Sequence, residues 1–382
     1  MRLLHTSDLH IGRLLYGQSL ETDHEVILNQ ILETMNEHKP DAVILAGDIY
    51  DRVSPPASAV KQFNNFIRRF RDQSEAALIL IAGNHDSGDR IDAMSTLANE
   101  QRALISGPVR ADDKPLILED EHGPVAFSAL PFATEYLARE EFDDSSITSP
   151  ADVIQAQVEA ARQTVPDNVR WVISAHTFVT NAEPSEAERK ISVGGVETVP
   201  ADTFDGAHYV ALGHLHRPQT AGTDHINYSG APLAFGFDES DATKTMSLVD
   251  LDGTGAVQIE RIPFKPVRRM RTLNGAFEEL LEAARKSPSE DYIKLVLNDH
   301  GALVDPMAKI REYYPNALLL QYERNLKTVE PELGEDIEAH LDKPEDVIKS
   351  FLTEIRGEPP LEEELSFVDQ QLHELQEVEA KQ

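Results

Sequence analysis

Seven side chains suited to binding a cation, Asp8, His10, Asp48, Asn84, His176, His214 and His216, each stand at or just past the end of an apolar run. The runs are Leu3–His10, Asp41–Asp48, Ala77–Asp86, Trp171–His176 and Tyr209–His216. In extended chain, alternate side chains share a face about 7 Å apart, so Asp8 with His10, and His214 with His216, can each converge on one cluster. Carboxylate, amide and imidazole together can hold two divalent cations about 3.5–4 Å apart, which polarise a phosphate oxygen and activate water. That is the chemistry of phosphoester hydrolysis. Each signal alone is weak, since Gly83-Asn84 is an ordinary turn pair and a histidine is often a hydrogen-bonded core residue. Five repetitions of the same grammar, with His85 beside Asn84 in one of them, are what carry weight.

For the seven to meet, the runs must be strands. A continuous apolar stretch closed by glycine reads as a strand buried on both faces, and the carboxyl ends of parallel strands gather in one crevice. Between the runs lie helical stripes: Ile27, Leu28, Ile31, Leu32 and Met35, ended by Pro40, then Val60, Phe63, Phe66, Ile67 and Phe70 after Pro55-Pro56. The resulting βαβαβ order implies a largely parallel sheet with right-handed crossovers. Residues 103–131 read as short strands, Ser149-Pro150 as the cap and first turn of a helix, and 180–200 as a long loop. Strands near 245–250 and 256–262 close this domain at residue 264. Residues 265–330 form a second, smaller βαβαβ pattern without clustered ligands, expected to cap or recognise. From 331 to 382 the chain reads as a helical tail. Val347, Ile348, Phe351, Leu352 and Ile355 stripe one helix, and Leu361, Leu365, Val368, Leu372 and Leu375 form a heptad-like seam expected to bury itself on a partner.

At 382 residues the chain suits two domains and a tail. No stretch approaches the roughly 18 apolar residues of a membrane span. The first strand begins at residue 2, leaving no room for a signal peptide. Zero cysteines exclude disulfides and thiolate metal sites and fit a cytoplasmic protein. A metal must then be held by Asp, His, Asn and water, a set suited to manganese, iron or zinc rather than calcium. The net charge of -32 opposes long-range attraction to nucleic acid. Much of that excess lies beyond residue 330, and divalent cations in the site would invert the local field.

Asp8-Leu-His10, Gly47-Asp48-Ile-Tyr-Asp51-Arg52, Gly83-Asn84-His85-Asp86, His176 and Gly213-His214-Leu-His216 resemble, in order, the five motifs of the calcineurin-like metallophosphoesterases. The longer phrases Leu4–Arg13, Ala211–Arg217 and Tyr228–Leu233 resemble the SbcD family, the nuclease subunits of bacterial SbcCD complexes, and the three-part layout matches over nearly the whole chain. The resemblance implies an α/β fold: a layered core with helices flanking two packed mixed sheets, a small α+β capping domain and a helical C-terminal tail. It implies a nuclease acting with the SMC-like ATPase SbcC in DNA repair and recombination, as a double-strand exonuclease and single-strand or hairpin endonuclease. The tail would bind SbcC, and two copies would form a homodimer within a heterotetramer. Two divalent ions, manganese preferred, are implied as cofactors.

Carried over by residue, one ion falls to Asp8, His10, Asp48 and His216. The other falls to Asp48, Asn84, His176 and His214, with Asp48 bridging. His85 is the proton donor to the leaving sugar oxygen, and Asp51 is expected to orient it. Arg52 is expected to contact phosphate or to form a surface salt bridge. His24, His38, His122, His225, His300, His340 and His373 are expected to be solvated, and His5 and His208 precede strand ends. A second enzymatic reading keeps the site but changes the substrate to a cyclic nucleotide or another small phosphodiester, and a third makes the chain mainly an adaptor for the ATPase.

Overall fold

The structure is a computed structural model that describes residues 1–99, 101–188, 198–299 and 303–323. Toward the C-terminus it describes 348, 349, 353, 360, 361, 364–368, 370 and 372. Met1–Gln321 forms one compact unit and Tyr322–Gln382 a second. The chain opens with β1 (Arg2–Thr6), a short hairpin of β2 (Leu14–Leu15) and β3 (Gln18–Ser19), α1 (Glu21–His38), β4 (Ala42–Ala46), α2 (Ala57–Gln73) and β5 (Ala77–Ile81). It continues through α3 (Gly88–Asp92), β6 (Ala103–Ser106), β7 (Leu116–Asp120), β8 (Gly123–Leu130), α4 (Glu135–Phe142), α5 (Pro150–Thr164) and β9 (Arg170–His176). Then come β10 (Tyr209–Gly213), β11 (Gln219–Ala221), β12 (Thr223–Tyr228), β13 (Thr245–Leu251) and β14 (Val257–Pro263). The last elements are β15 (Met270–Gly275), α6 (Phe277–Lys286), β16 (Tyr292–Leu297), α7 (Pro306–Arg311) and β17 (Ala317–Tyr322).

Two six-stranded sheets carry the site, one ordered β14-β13-β1-β4-β5-β6 and the other β11-β12-β10-β9-β8-β7. In the first, β1, β4, β5 and β6 run parallel, while β13 and β14 join antiparallel. In the second, β8, β9, β10 and β12 run parallel with antiparallel edges. Alternation along each strand explains how they stack. Leu3, Ala42, Ile44, Ala77 and Ile79 of the first sheet meet Val125, Phe127, Val172, Tyr209 and Ala211 of the second in one buried cluster. The intervening Leu4, Val43, Leu45, Leu78 and Leu80 face the opposite way and bury against α1 and α2 through Ile27, Ile31, Phe63 and Phe66. Ile173, Ala175, Val210 and Leu212 likewise bury against Ile154 and Val158 of α5. The result is four layers, helix, sheet, sheet, helix, the α/β layering that the family resemblance implies.

The helices start and stop for local reasons. α1 ends where Lys39 turns left-handed (φ 47°) and returns its N–H to Met35 O, with Pro40 forbidding a further turn. α5 opens with a reciprocal capping box in which Ser149 and Asp152 satisfy each other's backbone N–H groups, with Pro150 in the first turn. Phe63 and Phe66 of α2 stack at 5.9 Å and are almost wholly buried, each worth roughly 1.5–3 kcal/mol of burial.

The strands β15, β16 and β17 form a separate three-stranded sheet with its own core of Phe277, Leu281, Leu295 and Ile310. It is tied to the larger core by Arg268 Nη1, 2.8 Å from Asp23 Oδ2, and by Tyr292 Oη donating to the same oxygen at 3.1 Å. In the tail, Ile348, Leu361, Leu365, Val368 and Leu372 are among the described residues and Leu361 is exposed. Val347, Phe351, Leu352, Ile355 and Leu375, and with them the continuous seam, lie outside the described residues. So do His300, His340 and His373 and positions 189–197 of the long loop.

Candidate metal centre

Four of the seven residues leave their strands through a tight, unusual backbone turn. Asp8 (φ 54°), His10 (φ 45°), Asp48 (φ 50°) and His214 (φ 107°) all have positive φ. That conformation is uncommon for residues other than glycine and costs about 1–3 kcal/mol each where it is not relieved by surrounding contacts. The contacts that hold it are present: Asp8 N donates to Gly47 O at 3.0 Å and His10 N to Asp48 O at 2.9 Å. Two glycines make room. A Cβ on Gly47 would lie 2.3 Å from His176 Nδ1, and one on Gly83 would lie 2.1 Å from Asp48 Oδ1.

Asp8, His10, Asp48 and Asn84 come from the first sheet and His176, His214 and His216 from the second, and all seven meet in the crevice between the strand ends. His10 Nε2 lies 3.2 Å from His216 Nε2 and 3.6 Å from Asp48 Oδ2. His176 Nε2 lies 3.5 Å from Asp48 Oδ2 and 3.0 Å from Asn84 Oδ1, and His214 Nδ1 lies 3.2 Å from the same amide oxygen. The Asp8 carboxylate accepts from His214 N at 3.0 and 3.2 Å. Asp8, His10 and His216 form one group able to hold an ion, and Asp8, Asp48 and His176 another.

The donor set fits divalent ions. With bonds of about 2.0–2.2 Å, ligand atoms around a single ion sit roughly 3–3.5 Å apart, which is the spacing seen here. His176 Nδ1 must donate to Ala46 O at 2.9 Å, so in the singly protonated ring Nε2 is the ligating atom, and it faces the Asp48 and Asn84 oxygens. Several acceptors thus face one another, an arrangement that a cation satisfies.

The electrostatics agree. Burial would lower His176, but the Asp48 and Asp8 carboxylates outweigh it and raise the imidazole to about 9, so a proton on Nε2 and a cation compete for the same two negative charges. Burial would raise Asp48, yet the surrounding histidines, His176 first, hold it well below the usual carboxylate range. Asp8, more dominated by burial, is pushed up to about 6. Burial drives His214 down to about 3 and His10 well below its ordinary value, leaving both neutral and able to ligate.

His85 stands at the edge of the cluster, its ring edge-on to His10 at 4.8 Å. Its N–H donates to Asp48 Oδ1 at 2.9 Å and its Nδ1 to the main-chain O of Asp51 at 2.8 Å. The expected contact between Asp51 and His85 therefore runs through the backbone carbonyl. The Asp51 carboxylate goes elsewhere, accepting from Arg13 Nη1 at 3.2 Å and lying 3.7 Å from His10 Nδ1. Arg52 is exposed at the rim, 3.9 Å from the other Asp51 oxygen.

Sequence reasoning missed several buried partners. Asp86 is quoted in the motif but given no role there. Its carboxylate accepts from Gly83 N, Ile49 N and Tyr50 N at 2.9 to 3.0 Å and so pins two ligand-bearing turns together. Burial, with the nearby Asp48 charge, raises it to about 7. Glu239, fully buried, lies 3.0 Å from His216 Nδ1, in a stretch whose loop character gave no signal of this. His24 is a correction: it is buried, not solvated, and held to about 4 by that burial. His5 is buried between the sheets, bonded to Tyr209 Oη at 2.9 Å and to Leu212 O at 3.1 Å, and takes no part in the cluster.

Two family models match the chain. The family model described as calcineurin-like phosphoesterase matches residues 1–218, and one described as the type 5 capsule protein repressor C-terminal domain, SbcD_C, matches residues 263–356. The chain is 29% identical over 321 residues to a Staphylococcus epidermidis protein named as a subunit of the SbcCD nuclease, covering 84% of this chain and 85% of that one. The first match spans both sheets up to the last cluster histidine and the second begins where the three-stranded sheet is approached. The chain thus belongs to the calcineurin-like phosphoesterase family as a phosphodiester hydrolase, and the resemblance to its SbcD branch is borne out.

Proposed function

We propose that the chain is a metal-dependent DNA nuclease, cutting duplex ends exonucleolytically and single strands or hairpins endonucleolytically in concert with an SbcC-type ATPase. The observation that supports this most is the meeting of seven donor side chains from two sheets, with ligand atoms 3.0 to 3.6 Å apart. Asp8, His10, Asp48 and His216 would hold one ion, and Asp48, Asn84, His176 and His214 the other. Bound there, the ions, manganese by preference, supply polarisation of the phosphate and activation of the attacking water.

The protein's own part is to orient and to move a proton. His85 Nδ1–H is committed to Asp51 O, so the proton available to the leaving sugar oxygen is the one on Nε2, and His85 acts from its doubly protonated form. Asp51 aims that ring by its carbonyl while its carboxylate anchors Arg13, and Arg52 reaches from the rim to a substrate phosphate. The small sheet, within residues 265–330, caps the site, and two copies of the chain form a homodimer in a heterotetramer with the ATPase. The name of the Staphylococcus relative, which makes it one part of an SbcCD nuclease, supports that partnership.

The test is to assay the full chain on linear duplex, hairpin DNA and a small chromogenic diester, with and without manganese. Manganese-dependent cleavage of the DNA substrates is expected. Hydrolysis of the small diester alone would replace this reading with a small-molecule phosphodiesterase, and no hydrolysis at all would favour an adaptor. Deleting residues 336–382 should abolish co-purification with the ATPase while leaving metal-dependent cleavage by the isolated chain. Retained co-purification would remove the tail from the interface.

A further inference from the structure

The residue that closes the cluster, His216, is held at every polar atom but one. Its N–H donates to Glu188 Oε1 at 2.5 Å. Its carbonyl accepts from Lys244 Nζ at 2.9 Å and from Ala231 N at 3.1 Å. Its ring Nδ1 lies 3.0 Å from Glu239 Oε1, and since an ionised carboxylate only accepts, the proton of the neutral ring resides on Nδ1. Nε2 alone remains, with its lone pair directed at His10 Nε2, 3.2 Å away. Among the described residues His10 Nδ1 has no hydrogen-bond partner, so the shared orientation of these two rings is set from the His216 side.

Glu239 is fully buried and Lys244 is 7% exposed, yet they form an ion pair, Lys244 Nζ to Glu239 Oε2 at 2.5 Å. Burying two charges is costly, and well-packed apolar side chains in their place are often no less stable. Their geometry shows what the pair accomplishes. Lys244 bridges the His216 carbonyl and the carboxylate that holds its ring, so one cation fixes both ends of the ligand. Glu239 Oε2 also accepts from Phe235 N at 3.4 Å, and the Phe235 ring stands edge-to-face against His10 at 5.1 Å and His216 at 5.4 Å.

We infer that Glu239 and Lys244 are positioning residues that lock the tautomer and direction of His216, and thereby tune the ion shared with His10 and not the one on the Asn84 side. This rests on the metal-dependent reading above. Partners behind a ligating imidazole typically contribute about 10–100-fold to metal affinity. Glu239 Oε1 also accepts from Ser185 Oγ at 2.8 Å, and a purely structural staple between the loops around Ser185 and Phe235 would instead change stability and leave the balance of the two ions untouched.

Manganese titration of the metal-free full chain by calorimetry separates these roles, applied to wild type, Glu239→Gln, Lys244→Met and the double variant. The double variant removes both buried charges together and keeps their volume, so it folds even where a single change leaves one charge unpaired. One of two binding steps should weaken by about 10–100-fold in Lys244→Met and the double variant, less in Glu239→Gln, whose amide oxygen still accepts from Nδ1–H. The other step should stay unchanged. Both steps unaltered, or both weakened equally alongside a lower metal-free melting temperature, would overturn the inference. Wild-type chain that takes up no manganese would instead sink the metal-dependent reading itself.

Discussion

Asp48→Asn is expected to lower phosphodiester hydrolysis by more than about 10³-fold, since removing one preorganised electrostatic donor already costs about 10²–10³. Asp48 reaches both halves of the cluster, with Oδ2 3.6 Å from His10 Nε2 and 3.5 Å from His176 Nε2, and Oδ1 accepting from His85 N at 2.9 Å. An amide there loses the negative charge and turns N–H donors toward atoms that need a cation. Fold should survive, because the substitution keeps the side chain's shape and Asp86 separately pins the same turn. Ion binding and rate measured on the same preparation decide it. A variant that keeps both ions and turns over within about tenfold of wild type, a difference of only about 1.4 kcal/mol in the barrier, would remove Asp48 from its bridging place.

His85→Gln should cost about 10²–10⁴-fold on DNA, the usual contribution of a positioned general acid. Glutamine approximates the ring's reach without a titrating proton, and its amide can still donate to Asp51 O as His85 Nδ1 does at 2.8 Å. Ion binding should therefore persist. The sharper readout is the leaving group. A diester that expels a nitrophenolate needs little protonation, so the loss on that substrate should be much smaller than on DNA. Equal losses on the two would show that His85 does not protonate the departing oxygen.

What could be read from the sequence is what depends on single strands. Ala42–Ala46 and Ala77–Ile81 are wholly buried, and so are uninterrupted apolar runs whose ends must carry the polar groups. That is why the seven donors could be picked out and why they meet. The parts that escaped depend on pairing across distance. β13 and β14 follow the second sheet in sequence yet complete the first, and nothing in their alternation says which edge they will join. The edge strand Gln219–Ala221 and the helix Glu135–Phe142 are short and polar, with too few turns of either period to register. Glu239 reaches His216 from 23 residues away through an irregular loop, and Asp51 serves His85 by its carbonyl, a group no residue identity reveals.

The cluster draws Asp8, His10, Asp48 and Asn84 from one sheet and His176, His214 and His216 from the other. Ions seated there act as rivets between two slabs that otherwise adhere mainly through apolar side chains. Occupancy and resistance to heat then become one quantity: an ion at a hundred times its dissociation constant adds about 2.7 kcal/mol to the folded state. The melting temperature of this protein should therefore serve as a gauge of how much free metal surrounds it.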